Sequence, residues 1–175
     1  MNATTRQPFD AFERDLGQFL RRQGSDPDAI AVVYSLDRNA LDVITAMETA
    51  ALRPLGLTHA GFVLLMTLWI TGPQETRHLA RVLRVSRPSI VSAVDTLERK
   101  GHVRRLSDAE DRRLVRVELT GDGLALVREA QRAWHRCERR VAGALTKAEQ
   151  REFARLARKL GAAVREGVME GAIDG

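Results

Sequence analysis

Apolar residues recur at three- and four-residue spacing along most of this 175-residue chain, and the pattern turns to period-two alternation only once, near residues 102–119. Phe9, Phe12, Leu16, Phe19 and Leu20 form the first stripe and Gly24 closes it, which predicts a helix over residues 9–23. Asp26 followed by Pro27 suits a helix N-cap and first position, because proline lacks the N–H that is unpaired there. A long helix is therefore expected from Pro27 through Val33, Leu36, Val43 and Met47 to about Leu55, ended by Gly56. Thr58 can cap the next helix, whose Phe62, Leu65, Leu68 and Trp69 run to the stop at Gly72 and Pro73.

The elements then shorten. His78–Leu83 reads as a brief helix, Arg84–Ser86 as a turn, and Arg87–Lys100 as a second helix with Ile90, Val94 and Leu97 facing inward. Ser86 is placed to cap it and Pro88 sits in its first turn. Gly101 ends that helix, and His102–Leu106 and Leu114–Leu119 predict two strands around the polar loop SDAEDRR. Arg116 and Glu118 alternate with Val115, Val117 and Leu119, giving one charged and one apolar face. Thr120 reopens the helical pattern through Leu124, Val127, Trp134, Val141 and Leu145. Thr146 and Glu149, at capping-box spacing, start a last helix striped by Phe153, Leu156, Leu160, Val164 and Val168.

Charge singles out the middle of the chain. Residues 77–116 hold eleven Lys or Arg against five Asp or Glu, a local +6 in a chain of net +5, which leaves −1 for the other 135 residues. Basic charge concentrated where two short helices, a turn and a strand pair follow one another points to duplex DNA. Arginine dominates that charge, and its planar fork suits phosphates and guanine edges.

Composition excludes more than it adds. A single cysteine, Cys137, rules out an intrachain disulfide framework and a cysteine zinc site. His59, His78, His102 and His135 show no metal-ligand spacing and no glycine-rich phosphate loop occurs, so neither metal nor cofactor is expected and no catalytic residue is identified. The longest apolar run, around GFVLLMTLWI, is too short for a bilayer and the N-terminus lacks the parts of a signal peptide, which makes a cytoplasmic protein without membrane contact the expectation.

Leu57 and Thr58, followed by HLARVLRVSRPSIVSAVDTLERKGHVRRLSDAEDRRLVRVELTGDG, resemble the signature of the MarR (multiple antibiotic resistance regulator) family of winged helix-turn-helix transcription regulators. The resemblance implies a mainly α fold with a small β wing. It divides the chain into a helical arm with the first dimerisation helices (1–56), a DNA-binding domain (57–120) and C-terminal dimerisation helices (121–175). Arg87–Leu97 would be the recognition helix in the major groove, with Ser86, Arg87, Ser89 and Ser92 on its exposed N-terminal side and Ala93 where relatives carry a polar residue. Asp111 and Arg113 match the family's Asp-x-Arg wing pair, the acid bracing the arginine for the minor groove, with Arg112 beside them for phosphate. The physics of narrow, electronegative minor grooves favours arginine in the same way.

The implied function is a homodimeric regulator, a repressor of a pseudo-palindromic operator, released by a small-molecule effector. Pairing of the apolar arms across a twofold axis would bury Phe9, Phe12, Leu16 and Phe19 at one end and Phe153, Leu156, Leu160 and Val164 at the other, although residues 9–23 could equally pack as another core helix. Arg53, His59, Met66 and Trp69 are candidate effector-lining residues, with a packing role for Met66 and Trp69 and a solvated helix end for Arg53 as the alternative. Cys137 lies among Arg136, Arg139 and Arg140, which suits a redox-sensing thiol, and on the Trp134–Val141 face, which suits a buried one. A winged-helix module that binds protein in place of DNA is the competing class.

Overall fold

The computed structural model describes residues 7–107 and 115–166, with side chains for 15–106 and 115–166. Phe9, Phe12, Asp111, Arg112, Arg113 and Val168 thus carry expectations that lie outside the described side chains. The chain divides into two compact units, Met1–Ala46 and Met47–Gly175.

In the first unit, α1 (Gln7–Arg22) ends at Gly24, whose φ of 82° is the left-handed conformation that glycine adopts without a Cβ penalty. The Ser25 N–H reaches back to the Leu20 carbonyl at 3.1 Å, closing the turn. Asp26 then caps α2 (Pro27–Met47), its Oδ1 accepting the Asp28 N–H at 2.9 Å. Val32, Val33, Leu36, Leu41 and Ile44 along α2 are exposed.

The second unit begins by departing from expectation. In place of α-helix to Leu55, the α geometry stops at Met47 and gives way to a π turn (Glu48–Leu52) and a 3-10 turn (Arg53–Leu55). Pro54 supplies the reason: it has no N–H for the Ala50 carbonyl and its ring would crowd that carbonyl in an α-helix. Gly56, at φ 67°, ends the segment. Thr58 caps α3 (His59–Thr71), accepting the Gly61 N–H at 3.1 Å. This helix is apolar on nearly every side, and Gly61, Phe62, Leu64, Leu65, Thr67 and Leu68 are buried, as befits an element packed all round. Thr67 satisfies its hydroxyl by donating to the Val63 carbonyl at 2.8 Å.

After α3 come β1 (Gln74–Glu75), α4 (Thr76–Leu83), α5 (Arg87–Arg99), β2 (Val103–Ser107), β3 (Val115–Leu119) and α6 (Gly121–Ala142), of which α4, α5, β3 and α6 pack against it. The strands form an antiparallel sheet ordered β1-β3-β2, with Val103 opposite Leu119, Arg105 opposite Val117, and Gln74 also opposite Val117. Leu52, Leu64, Leu65, Leu79, Ile90, Val94, Val103, Val117 and Val127 are fully buried, so every one of these helices and both longer strands contribute to one core. The inward alternation expected of β3 holds at Val117 and Leu119, while Val115 is exposed at the end of β3 that pairs with Ser107.

α6 starts against the hairpin. Thr120 caps it through the Gly123 N–H at 3.0 Å, donates its hydroxyl to the Gly101 carbonyl at 2.6 Å and its N–H to the His102 carbonyl at 3.1 Å. Gly123 lies so close to the His102 carbonyl that no side chain fits between them. After the turn at Gly143–Leu145, the Thr146/Glu149 capping box opens α7 (Lys147–Arg165), on which Phe153, Leu156, Leu160 and Val164 are exposed.

Candidate nucleic-acid interface

The helix–turn–helix is built by local chemistry at the α4–α5 junction. Arg84 ends α4 in the left-handed conformation, φ 52°, and the following Val85 N–H bonds the Ala80 carbonyl at 3.1 Å. Non-glycine residues adopt this conformation at a cost of about 1–2 kcal/mol, so a long cation stands where glycine would be easier. Ser86 then caps α5, Pro88 stands in the first turn, and Ile90, Val94 and Leu97 fix the buried face.

Ser86, Arg87, Ser89 and Ser92 are all exposed, and the structure brings them together at the start of α5. They are not equivalent. The Ser86 and Ser89 hydroxyls lie 2.7 Å apart, and Ser86 Oγ also accepts the Ser89 N–H at 3.3 Å, so both are engaged in capping. Ala93 is half-buried and packs against the core. The outward face instead holds a shallow concavity of about 550 Å³ lined by Arg87, Pro88, Val91, Ser92 and Asp95. Its positions follow the spacing that places side chains on one side of a helix. Sequence reasoning named Arg87 and Ser92 of this set and passed over Val91 and Asp95; the absence of Val91 from the Ile90–Val94–Leu97 stripe was the available signal.

Asp95 does not present an unbalanced negative charge. Arg105 on β2 reaches back to α5, with one guanidinium nitrogen 2.5 Å from Asp95 Oδ1 and the other on Glu98, while its backbone N–H donates to Glu98 Oε1 at 3.0 Å. The Asp95 hydrogen bond, opposed by partial burial and helped by the charge of Glu98, raises the Arg105 pKa above its ordinary value. A second pair, Arg104 with Glu118, bridges β2 and β3 directly opposite one another. The hairpin base is thus tied to the last turns of α5 and to itself. Asp111, Arg112 and Arg113, expected at the hairpin tip, lie outside the described residues.

The effector candidates share α3 and the turn before it. Glu48 connects two of them: its carboxylate lies 3.7 Å from Arg53 and accepts the His59 N–H at 2.8 Å. The His59 ring stacks on Trp134 of α6, centroids 5.3 Å apart, and Phe62 meets the same indole at 5.3 Å. Met66 is half-buried against the core, whereas Trp69 is more than a third exposed with the Arg128 guanidinium 6.0 Å from its ring centre. Sequence reading assigned Trp134 to the core without its aromatic partners, because 75 residues separate it from His59. Cys137 is half-buried and packs against the core on the same face of α6. Among the described residues no group of three His, Cys, Asp or Glu could hold a metal ion, and no single helix is long and apolar enough to cross a membrane.

Comparison with known proteins agrees with this geometry. The MarR family model matches residues 57–115, which run from the start of α3 into β3. The HTH-type transcriptional regulator YwaE of Bacillus subtilis (strain 168) is 33% identical over 133 residues, 76% of this chain and 78% of that protein. Among solved structures, the transcriptional repressor CouR bound to a 23-mer DNA duplex superposes with a TM-score of 0.69 at 26% identity, covering 73% of this chain and 90% of CouR. BpsR of Bordetella bronchiseptica, whose DNA binding is regulated by 6-hydroxynicotinic acid, gives 0.68 at 25% identity over 75% of this chain and 98% of its own. With the helix–turn–helix, the braced hairpin and a relative matched across three quarters of both sequences, the chain belongs to the MarR family of transcriptional regulators.

Proposed function

We propose that this regulator is a homodimeric repressor that holds a pseudo-palindromic operator through two copies of α5 and is released by a small-molecule effector. The observation that carries the reading is the exposed α5 face with Arg87 at its start, joined to the hairpin by Arg105. Arg87 combines its charge with a helix N-terminus, which suits a guanine edge or a phosphate. The brace holds the base of the hairpin in fixed relation to α5, so that Arg113, braced by Asp111, reads the minor groove when α5 enters the major groove, with Arg112 on the adjacent phosphates. Residues 57–120 act as the DNA-binding domain, flanked by dimerisation helices in 1–56 and 121–175, and the protein works in the cytoplasm on chromosomal DNA.

Dimerisation is supported by apolar stripes that are exposed among the described residues. Phe153 is 62% and Val164 64% exposed on α7, and α2 carries a comparable row. Such rows are costly in water and are buried when two copies pair. The charge balance favours pairing as well, with +3 over residues 121–175 and −2 over residues 1–56. We assign the effector to Arg53, His59, Met66 and Trp69, which offer a cation, a polar ring and apolar surface along α3 and the turn before it. A ligand there acts by preferring a different spacing of the two recognition helices, and operator must weaken that ligand by the same factor.

The test is a salt-titrated binding measurement on a selected duplex and on random duplex. DNA binding predicts a linear fall of log affinity with log salt on both, and tighter binding to the selected site. Absence of binding to any duplex at low salt would favour a protein-binding winged helix and refute the proposal.

A further inference from the structure

The α5 concavity contains one side chain that electrostatic readout leaves unexplained. Val91 is 39% exposed and lines the concavity together with Pro88, Arg87 and Ser92. A lone exposed valine needs no explanation. This valine is different in place: it and Pro88 make the wall of the concavity predominantly apolar on the face of the helix turned away from Ile90, Val94 and Leu97. We propose that Val91, backed by Pro88, reads a thymine C5-methyl group in the major groove, and that the half-site therefore carries a thymine beside the base or phosphate taken by Arg87. The inference rests on the reading of α5 as the recognition helix.

The chemistry selects the base. Of the four unmodified bases, only thymine offers an apolar group at the major-groove edge; guanine and adenine present acceptors or donors there and cytosine an amino group. Closing a polar edge against Val91 would strip its water without supplying a partner, which is unfavourable. A methyl group against the Val91 isopropyl and the Pro88 ring buries apolar surface on both sides. Asp95, at the far end of the concavity, does not reverse this preference by repelling the DNA, because Arg105 balances its charge.

The experiment begins with a half-site enriched from a random duplex library by the wild-type protein, followed by replacement of each thymine with deoxyuridine, which removes only the methyl group. At one thymine per half-site, the wild type is expected to lose about fourfold in affinity, the worth of one methyl-sized group. Val91→Ala should bind the thymine operator less tightly and be nearly indifferent to the same replacement, and Val91→Thr, which keeps a branched methyl, should retain the sensitivity. Val91 is exposed, and an unchanged melting temperature of Val91→Ala will establish that folding is not the cause. An operator in which no deoxyuridine replacement matters, or one whose replacement costs wild type and Val91→Ala equally, overturns the thymine reading while leaving recognition by α5 intact. Failure to enrich any sequence overturns both.

Discussion

Gly123→Ala isolates the joint between the DNA-reading domain and α6. A Cβ built on Gly123 falls 1.8 Å from the His102 carbonyl oxygen, 2.8 Å from its carbon and 3.3 Å from its Cα. Comfortable non-bonded contact needs about 3.5 Å, so α6 must move away from the Gly101–His102 turn by well over an ångström. The obstructing atoms are backbone, and Thr120 pins the same turn through bonds of 2.6 and 3.1 Å. Overpacking of this kind costs about 1–3 kcal/mol, and each hydrogen bond lost from the Thr120 joint adds about 1 kcal/mol. Alanine returns about 1 kcal/mol through helix propensity. The net expectation is a loss of about 3 kcal/mol, or roughly 6–12 °C in Tm for a chain of this size. Gly121→Ala is the control: nothing lies within 4 Å of its Cβ, so it should be neutral or stabilising by up to about 1 kcal/mol. Scanning calorimetry at equal protomer concentration reads both. A Gly123→Ala protein that melts at or above Gly121→Ala would refute the close approach on which the joint depends.

Three further outcomes are expected. Arg87→Ala should weaken operator binding by at least about 1 kcal/mol, whereas Arg128→Ala, on α6 beside Trp69, should change it far less in the same buffer; equal losses by fluorescence anisotropy would mean that only bulk charge matters. Arg84→Gly relieves a left-handed arginine, so its Tm should not fall, yet its log-affinity slope against log salt should shrink by about one if Arg84 meets a phosphate; an unchanged slope removes that contact. Leu160→Glu, in the exposed α7 stripe, should convert dimer to monomer in sedimentation velocity, and an unaltered dimer would place the interface elsewhere.

Short-range chemistry was the legible part of this sequence. The caps at Thr58, Ser86, Thr120 and Thr146 all accept the N–H three residues on, because a hydroxyl at that spacing works in any protein. The buried stripe of α5 followed from its period. The π turn was missed because the apolar pattern continues through it, and only Pro54 marked the change. β1 is two residues long and owes its existence to β3, so nothing local encodes it. At the site, Arg87 and Ser92 were legible as exposed polar residues near a helix start. Ser89 was legible in the same way, but its hydroxyl bond to the Ser86 cap was not. The Asp95–Arg105–Glu98 brace was invisible, since its two sides lie on different elements and each looks like an ordinary solvated charge. The His59–Trp134 stack depends in the same way on α3 meeting α6 in space.

Hydroxyl-radical footprinting of the selected operator, combined with the stoichiometry of the complex, tests the central claim most directly. A twofold pair of α5 helices predicts two chains per duplex and two protected half-sites whose centres lie about 10–10.5 base pairs apart, or a multiple of that spacing. One chain protecting a single asymmetric half-site would contradict it.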